Sequence, residues 1–173
     1  MIDNAALLGR GFVLKVKPTL FLICGKIAAG KSTLAAELAA APTTLLISED
    51  QWLARLYRAE MRTVADYVQY SARLRAVIGP HVECLLRTGT SVVLDFPANT
   101  RKQREWMRGI LERSGADHEL HFLDVPDHIC KTRLRERNAA GTHDFAASEA
   151  EFQQITSYFM PPADDEGFHV IRH

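Results

Sequence analysis

The residues best suited to chemistry lie in one segment near the beginning of the chain, residues 25–32, which reads Gly-Lys-Ile-Ala-Ala-Gly-Lys-Ser. The segment matches the pattern G-x-x-x-x-G-K-[ST] at every position. Glycines at both ends let the backbone curl, so that successive N–H groups point into one concavity and bind phosphate oxygens. The Lys31 ammonium can then reach the β- and γ-phosphates, and the Ser32 hydroxyl can take a Mg²⁺ position. The pattern therefore predicts a nucleoside-triphosphate site of the Walker A, or P-loop, type.

The sequence on either side of this loop supports the same interpretation. Residues 19–24 form an apolar run typical of a buried strand, and residues 32–41 are rich in Ala and Leu and predict a helix. A strand before the loop and a helix after it are the context that the motif requires. The extra cation Lys26 either joins the site or simply faces solvent. The residues that we expect to contact the nucleotide are Gly25, Ile27, Ala28, Ala29, Gly30, Lys31, Ser32 and Thr33.

Asp95 ends a second apolar run, residues 91–95, in the form of a Walker B strand. Such an aspartate would lie beside the loop at the carboxyl edge of the sheet and hold Mg²⁺ or its water. Many strands end in a turn-forming Asp, so the pattern alone is weak evidence. Together with the P-loop it favours Asp95 and Ser32 as the metal-binding residues.

Asp50 follows a third strand candidate, residues 44–47, and would lie at the same edge of the sheet. Transfer of a phosphoryl group to an alcohol needs a group that accepts the hydroxyl proton, and a carboxylate facing the γ-phosphate does this. The alternative is that Asp50, like Glu49, only complements the dipole of the following helix. We predict the catalytic role for Asp50.

Two arginines late in the chain are candidates for a lid over the transferred phosphate. Arg133 and Arg137 are four residues apart and share a helix face, whereas Arg135 points away. Arginines above the γ-phosphate would offset the charge of the transition state and exclude water. The alternative is an arginine-rich helix end that faces solvent and favours the helix dipole. Residues 138–142 read as a hinge or lid loop.

The elements that must position these residues alternate between strand and helix. Strand candidates are residues 19–24, 44–47, 91–95, 120–125 and 168–171. Capping boxes predict helices that begin after Ser48, Thr100 and Ser148, and Pro126 starts another that reaches about residue 138. Pro161 and Pro162 close the last helix. This alternation predicts an α/β fold, with a parallel sheet covered by helices on both faces.

About 40 residues separate the second and third strand candidates, which is more than one crossover helix needs. The insert, residues 50–90, combines arginines with Trp52 and several tyrosines. Taken alone, these residues favour two or three amphipathic helices with solvated arginine faces over a substrate-binding subdomain.

Composition excludes several other classes of protein. The chain has 173 residues, 21 basic and 21 acidic side chains, and 47% hydrophobic residues, which excludes disorder and a partner bound through bulk positive charge. Three scattered cysteines suggest reduced thiols, seven histidines lack metal-ligand spacing, and no apolar run reaches membrane-spanning length. Together with the absence of a secretory signal pattern, these features predict a cytoplasmic protein.

The loop, Asp50, Leu94-Asp95 and the arginine run of residues 133–137 together resemble small bacterial P-loop kinases over residues 19–171. The most similar group is the AAA-type ATP-binding family that includes zeta-toxin-like and chloramphenicol-phosphotransferase-like proteins. The resemblance implies a P-loop NTPase three-layer sandwich whose five parallel strands lie in the order 2-3-1-4-5.

The resemblance also implies roles for residues. It strengthens the prediction of Asp50 as base or acceptor anchor and places Arg133 and Arg137 in a lid, residues 133–147, with one arginine on phosphate and the other on adenine. It makes the 50–90 insert the acceptor-binding part and residues 161–167 a border of the adenine. A departure follows Asp95, where Asn99, Thr100, Arg101 and Arg104 either form a further acceptor site or simply start a helix.

We therefore expect one P-loop kinase-like domain over residues 1–173, which uses ATP and Mg²⁺ to phosphorylate a hydroxyl of a small molecule. Lys31, Asp50 and Arg133 are the predicted catalytic residues. The alternatives are a kinase of nucleotides or polynucleotide ends, and a nucleotide-binding regulatory ATPase without a small-molecule acceptor. We expect no membrane partner, no extended nucleic-acid binding, and a monomer or homodimer.

Overall fold

The protein is described from a computed structural model, which covers residues 17–141 and 147–173. The parts of the predictions that concern residues 1–16 and, in the lid, residues 142–146 lie outside these described ranges. The strands of the described part are β1 (Thr19–Gly25), β2 (Thr44–Ser48), β3 (Ser91–Pro97), β4 (Asp117–Leu123) and β5 (Val170–Arg172). The helices are α1 (Lys31–Ala39), α2 (Glu49–Tyr57), α3 (Val64–Arg87), α4 (Arg101–Ser114), α5 (Asp127–Ala140) and α6 (Glu149–Thr156), with a 3₁₀ turn at Asp164–Glu166.

The five strands form one parallel sheet in the order β2-β3-β1-β4-β5. This confirms the predicted order. Because every strand of a parallel sheet points the same way, the loops after β1, β2 and β3 all open at one edge. The P-loop segment follows the central strand β1, and β3 and β2 lie on one side of it. The sheet therefore positions the predicted site residues along a single border.

Both faces of the sheet are buried, as the apolar strands predict. Alternate side chains of β1 separate into two cores, with Leu22 in the core that contains residues of α2, α3 and α4, and Ile23 in the core that contains residues of α1, α5 and α6. In β3, Leu94 and Val93 divide in the same way. Strands buried on both faces must be apolar at consecutive positions, which explains their nearly continuous hydrophobic runs. The three-layer P-loop NTPase fold is confirmed.

Helix starts follow the predicted capping in two of three places. Thr100 and Ser148 each form a capping box with the residue three positions later. At Ser48 the helix begins where predicted, but the predicted capping box is wrong, since the Ser48 side chain makes no cap hydrogen bond. Ser48 lies opposite Asp95 in the β2–β3 register, and its hydroxyl donates to that carboxylate instead. A further capping box, at Thr63, begins α3.

Several element ends differ from the predictions. The fourth strand begins at Asp117, three residues before the predicted start, because its polar first residues pair with β1. The last helix ends at Thr156, before the proline pair that was predicted to close it. The insert consists of α2 and the 24-residue α3, in agreement with the predicted two or three helices. In the two described ranges, no helix is long and apolar enough to cross a membrane.

Candidate functional site

The loop between β1 and α1 requires glycine at its two ends. Gly30 has φ +106°, a left-handed conformation that L side chains rarely adopt. At Gly25, an added Cβ would approach the Leu123 Cβ and carbonyl oxygen to 3.2 Å and the Ala29 Cβ to 3.3 Å. No side chain caps the N-terminus of α1. The amides of its first turn therefore remain for an anion, and the helix dipole favours one there.

Lys31 is the cation of this loop. Its ammonium donates to the carbonyl oxygens of Gly25 and Lys26, each at 2.8 Å. Burial of the ammonium lowers the pKa of Lys31, and the carboxylates of Asp95 and Asp50 oppose that shift. The group is thus held in the loop with two acids on the same side of the sheet. This arrangement suits an ammonium that must meet phosphate charge.

Asp95 and Asp50 reach the site from neighbouring strands. Asp95 lies in β3 and accepts a hydrogen bond from the Ser48 hydroxyl at 3.2 Å. Asp50 lies in the first turn of α2, two residues after β2 ends, and acts electrostatically on both Lys31 and Arg137. The structure thus brings the two predicted carboxylates and Lys31 together at the carboxyl edge of β1, β2 and β3.

The two predicted lid arginines lie on the face of α5 that meets this edge. Arg133 donates to the Ala29 carbonyl of the loop at 3.3 Å. Burial lowers the pKa of the half-buried Arg137, and Asp50 opposes the shift. The Arg137 Nε finds no hydrogen-bond partner among the described residues. Arg135 turns away and pairs with Glu149 at 3.0 Å, as its position in the helix predicts.

Lys26 does not simply face solvent. Its ammonium pairs with Asp127 at the start of α5, and it also donates to the Val125 carbonyl at 3.4 Å. The same ammonium lies 5.8 Å from the centre of the Phe159 ring. Lys26 therefore connects the loop to the beginning of the arginine-bearing helix and to the segment that follows α6.

The residues after β3 follow the simpler of the two predictions made for them. Thr100 caps α4, and Arg101 pairs with Asp165 at 2.8 Å on the surface. Arg104 is fully buried and pairs with Glu166, so it is not available to an acceptor. Its position on the same helix face as the buried Met107 and Leu111 was the sequence signal that it lies in the core.

Asn99 was not predicted as a residue of the nucleotide site. Its side-chain oxygen accepts a hydrogen bond from the Gly25 N–H at 3.0 Å, which fixes the first residue of the loop. Its own N–H donates to Gln103, within the capping box of α4. No local pattern reveals this contact, because the two residues are 74 positions apart.

Glu49, next to Asp50, has a role that a helix-dipole argument misses. Its carboxylate is fully buried, accepts the Tyr67 hydroxyl at 2.7 Å, and pairs with the Arg75 guanidinium at 3.0 Å. Burial and the neighbouring Glu49 charge raise the pKa of Tyr67 well above its usual range. These contacts attach the start of α2 to α3, so the two helices of the insert are held together directly beside Asp50.

The donor set suits Mg²⁺ carried by a nucleotide. No group of three or more His, Cys, Asp or Glu side chains in the described ranges is arranged to hold a metal by itself. Mg²⁺ takes oxygen ligands and usually binds through one or two protein oxygens together with phosphates and water. The Asp95 carboxylate, already held by the Ser48 hydroxyl, and the Ser32 hydroxyl are oxygens of this kind, so the residues fit.

Comparison with known proteins agrees with this geometry. A family model described as an AAA domain, AAA_33, matches residues 20–162. Among curated protein sequences, none matches this chain significantly.

Solved structures share the fold at low sequence identity. One is a Chloroflexus aurantiacus protein that carries a provisional kinase description, with TM-score 0.72, 18% identity, and 91% of this chain and 85% of that chain covered. Kti12 of Chaetomium thermophilum in complex with ADP-AlF3 has TM-score 0.66 and 15% identity, with 88% of each chain covered. A Sinorhizobium meliloti gluconokinase has TM-score 0.57 and 16% identity, with 90% and 80% covered.

Proposed function

Since the chain belongs to the AAA_33 family of AAA domains and has a P-loop kinase-like fold, we propose that it transfers the γ-phosphate of Mg²⁺-ATP to a hydroxyl of a small molecule. The observation that carries this proposal is the meeting of Lys31, Asp50 and Asp95 at one sheet edge beside the loop. A site that only bound nucleotide would need the loop and the metal carboxylate. A second carboxylate beside the phosphate end adds a group for the acceptor.

The phosphate-binding residues act first. The loop amides and the N-terminus of α1 bind phosphate oxygens, and Thr33 contacts the α-phosphate. Lys31 exchanges its two bonds to loop carbonyls for the β- and γ-phosphates. Those bonds hold the ammonium ready in the loop, so little rearrangement is needed when a triphosphate enters. Ser32 and Asp95 would hold Mg²⁺, which would supply charge neutralisation on the phosphates.

Asp50 is the residue that we assign to the acceptor hydroxyl. The acceptor oxygen forms a bond to the γ-phosphorus, the bond from that phosphorus to the bridging oxygen breaks, and the bridging electron pair leaves with ADP. The hydroxyl proton passes to an Asp50 carboxylate oxygen. Arg133 and Arg137 stabilise the negative charge on the transferred group. Arg137 also interacts electrostatically with Asp50.

The acceptor itself meets the insert. The insert helices α2 and α3 both begin close to Asp50. The exposed surface of the insert includes Trp52 and the arginines Arg55, Arg58 and Arg73. Exposed arginines and an aromatic side chain favour a polar or anionic ring compound over an apolar one. We propose a single domain acting in the cytoplasm as a monomer or homodimer, without extended nucleic-acid binding. The neutral total charge supports that last point.

A kinase of polynucleotide ends is the second candidate, and the same exposed arginines favour it. A Pnkp1/Rnl/Hen1 RNA repair complex is among the similar structures, with TM-score 0.62 and 17% identity, covering 82% of this chain and 43% of that chain. The two candidates differ in salt dependence. Binding of an oligonucleotide through several phosphates would weaken steeply between 50 and 200 mM salt, roughly 10³-fold or more, whereas a small acceptor would respond weakly.

The proposal is tested by an ADP-release screen of hydroxylated metabolites, antibiotics and 5′-hydroxyl oligonucleotides with Mg²⁺-ATP, followed by detection of the phosphorylated product. For the acceptor found, Asp50→Asn should lower kcat about 10²–10⁴-fold with little change in ATP affinity. The matched control is Asp117→Asn, because Asp117 is exposed and lies at the beginning of β4, at the opposite edge of the sheet. ATP hydrolysis without transfer to any acceptor, or an equal loss of ATP binding in Asp50→Asn, would overturn the proposal.

A further inference from the structure

Resting on the proposed nucleotide site, we infer that Asn99 and Arg104 are positioning residues, which join the phosphate loop and the segment of residues 159–166 into one unit that orients the nucleotide. Asn99 holds the first glycine of the loop. Arg104 holds the turn that carries Asn99. It also holds the segment of residues 159–166, which begins beside Lys26 of the loop.

The first observation is the complete use of Arg104. This guanidinium is fully buried, and all five of its N–H donors have acceptors within the protein. Nη1 donates to the carbonyls of Ala98 and Met160, each at 2.8 Å. Nε and Nη2 bind the two oxygens of Glu166 at 2.6 and 2.7 Å, and Nη2 also donates to the Pro161 carbonyl at 3.3 Å.

These contacts connect two parts of the chain that are remote in sequence. Ala98 lies immediately after β3, and Met160, Pro161 and Glu166 lie between α6 and β5. A backbone hydrogen bond from the Met160 N–H to the Asn99 carbonyl, at 2.8 Å, joins the same two parts. Breaking a buried pair of this kind leaves a charge without compensation. The turn at Ala98–Asn99 and the segment 160–166 therefore keep one relative arrangement.

The second observation carries this arrangement to the nucleotide site. The Asn99 side chain accepts from the Gly25 N–H at 3.0 Å, and the Gly25 carbonyl in turn accepts from Lys31 at 2.8 Å. A chain of direct contacts thus runs from Arg104 through the Asn99 turn to the loop and its catalytic cation. Asn99 therefore does not need to touch phosphate to affect how the loop holds it.

The third observation concerns Phe159, at the beginning of the segment of residues 159–166. Phe159 precedes Met160, packs against Phe122 of β4, and lies 5.8 Å from the Lys26 ammonium of the loop. Asp95 and Asp50 mark the γ-phosphate end of the site, on the β3 and β2 side of β1. The inference places the nucleoside end on the opposite, β4 side, where Phe159 packs on Phe122 and lies near Lys26. Arg104 accordingly couples the nucleoside flank to the phosphate loop.

The inference is tested with two probes of the full chain, Mg²⁺-ATP and Mg²⁺-tripolyphosphate, whose dissociation constants are measured by calorimetry at low temperature. Tripolyphosphate contacts only the loop, whereas ATP also contacts the nucleoside flank. We expect Asn99→Ala to weaken both probes about tenfold, because the Gly25 N–H loses its acceptor. We expect Arg104→Lys to weaken ATP about tenfold while tripolyphosphate binding changes less than about threefold.

The matched control is Arg101→Gln. Arg101 joins the same two parts of the chain through Asp165, but this pair is exposed and should contribute little. Both dissociation constants should therefore stay at the wild-type value in this variant. A purely structural role of Asn99 and Arg104 would lower the melting temperature of their variants and leave both constants of the folded protein unchanged, which would overturn the inference.

Failure of the proposed function would give a different result. Wild-type protein that binds Mg²⁺-ATP without transferring phosphate to any acceptor would overturn the proposed kinase activity and leave the positioning roles to stand on the binding data. Wild-type protein that binds neither probe would overturn both. If Arg104→Lys does not fold, Glu166→Gln takes its place, and an unchanged ratio of the two constants in that variant would contradict the inference.

Discussion

The two sides of the candidate site are built differently. The side proposed for the nucleotide, called the nucleotide side below, contains Lys31, Asn99 and Arg104. The polar groups of these three side chains form hydrogen bonds with neighbouring backbone and side chains. On the side proposed for the acceptor, the helices of the insert expose large apolar groups, among them Leu56 and Val68, the latter 61% exposed. A preformed side suits a ligand of fixed chemistry, the triphosphate. An open side suits an acceptor that differs between members of a fold.

One feature of the insert departs from this contrast. Glu49, Tyr67 and Arg75 form a polar cluster around the buried Glu49 carboxylate, and this cluster joins the start of α2 to α3. The two helices of the insert are thus held together by buried contacts of the residue next to Asp50. The contrast predicts large catalytic effects on the nucleotide side, and mainly effects on stability at this cluster.

Among changes other than that of Asp50, Lys31→Met should cause the largest effect. Loss of the ammonium that meets the β- and γ-phosphates should lower phosphate transfer about 10²–10³-fold and weaken ATP binding. The measurement is product formation at saturating acceptor together with ATP titration. Lys102→Met is the control, because Lys102 is an exposed lysine of α4. Transfer at the normal rate by Lys31→Met would contradict the assignment of the nucleotide side.

Arg137→Met tests whether α5 belongs to the catalytic side. Removal of a guanidinium that interacts electrostatically with Asp50 should lower kcat about 10²-fold with the KM for ATP within about threefold. Arg135→Met is the matched control, since Arg135 lies two residues earlier and pairs with Glu149. Equal losses in the two variants would show that the helix contributes only through its general charge.

The fold could be predicted from the sequence because its signals are local. Apolar strands such as residues 91–95, the loop motif and the capping boxes at Thr100 and Ser148 each depend on a few neighbouring residues, and the resemblance then supplied the strand order. The contacts that complete the site could not be predicted in this way. Arg104 and Glu166 are 62 positions apart, and the Ser48 hydroxyl turns to Asp95 because of sheet register, which overrides its local capping pattern.

Tyr67→Phe tests the buried cluster of the insert. The Glu49 carboxylate would lose a hydrogen bond of 2.7 Å, and a buried acceptor left without its donor costs about 1–3 kcal/mol of unfolding free energy. ATP affinity should not change. Urea unfolding followed by circular dichroism measures the stability, with Tyr158→Phe as the exposed control. A strong loss of ATP affinity without loss of stability would show instead that this cluster contributes to nucleotide binding.

The smallest expected effect lies at the outer edge of the nucleotide side, where β4 meets the end of the chain. His121 is buried, and its Nδ1 lies 2.9 Å from the Nε2 of His173. Burial lowers the pKa of His121, Glu119 on the same strand opposes the shift, and the neighbouring His173 and His169 add to it. The unfolded chain therefore binds a proton more readily than the folded chain.

Stability from this lowered pKa is fully present above the ordinary histidine pKa and is lost as the pH falls below it toward the folded-state value. We expect the unfolding free energy of the wild type to decrease between pH 7 and pH 5, and His121→Gln to flatten that decrease, because glutamine keeps a polar side chain but does not titrate. The change should be smaller than that of Tyr67→Phe. His81→Gln, at an exposed position of α3, should keep the wild-type pH dependence. If the unfolding free energies of His121→Gln and the wild type showed the same pH dependence, His121 would not be the group that lowers stability at acidic pH, and the prediction would be wrong.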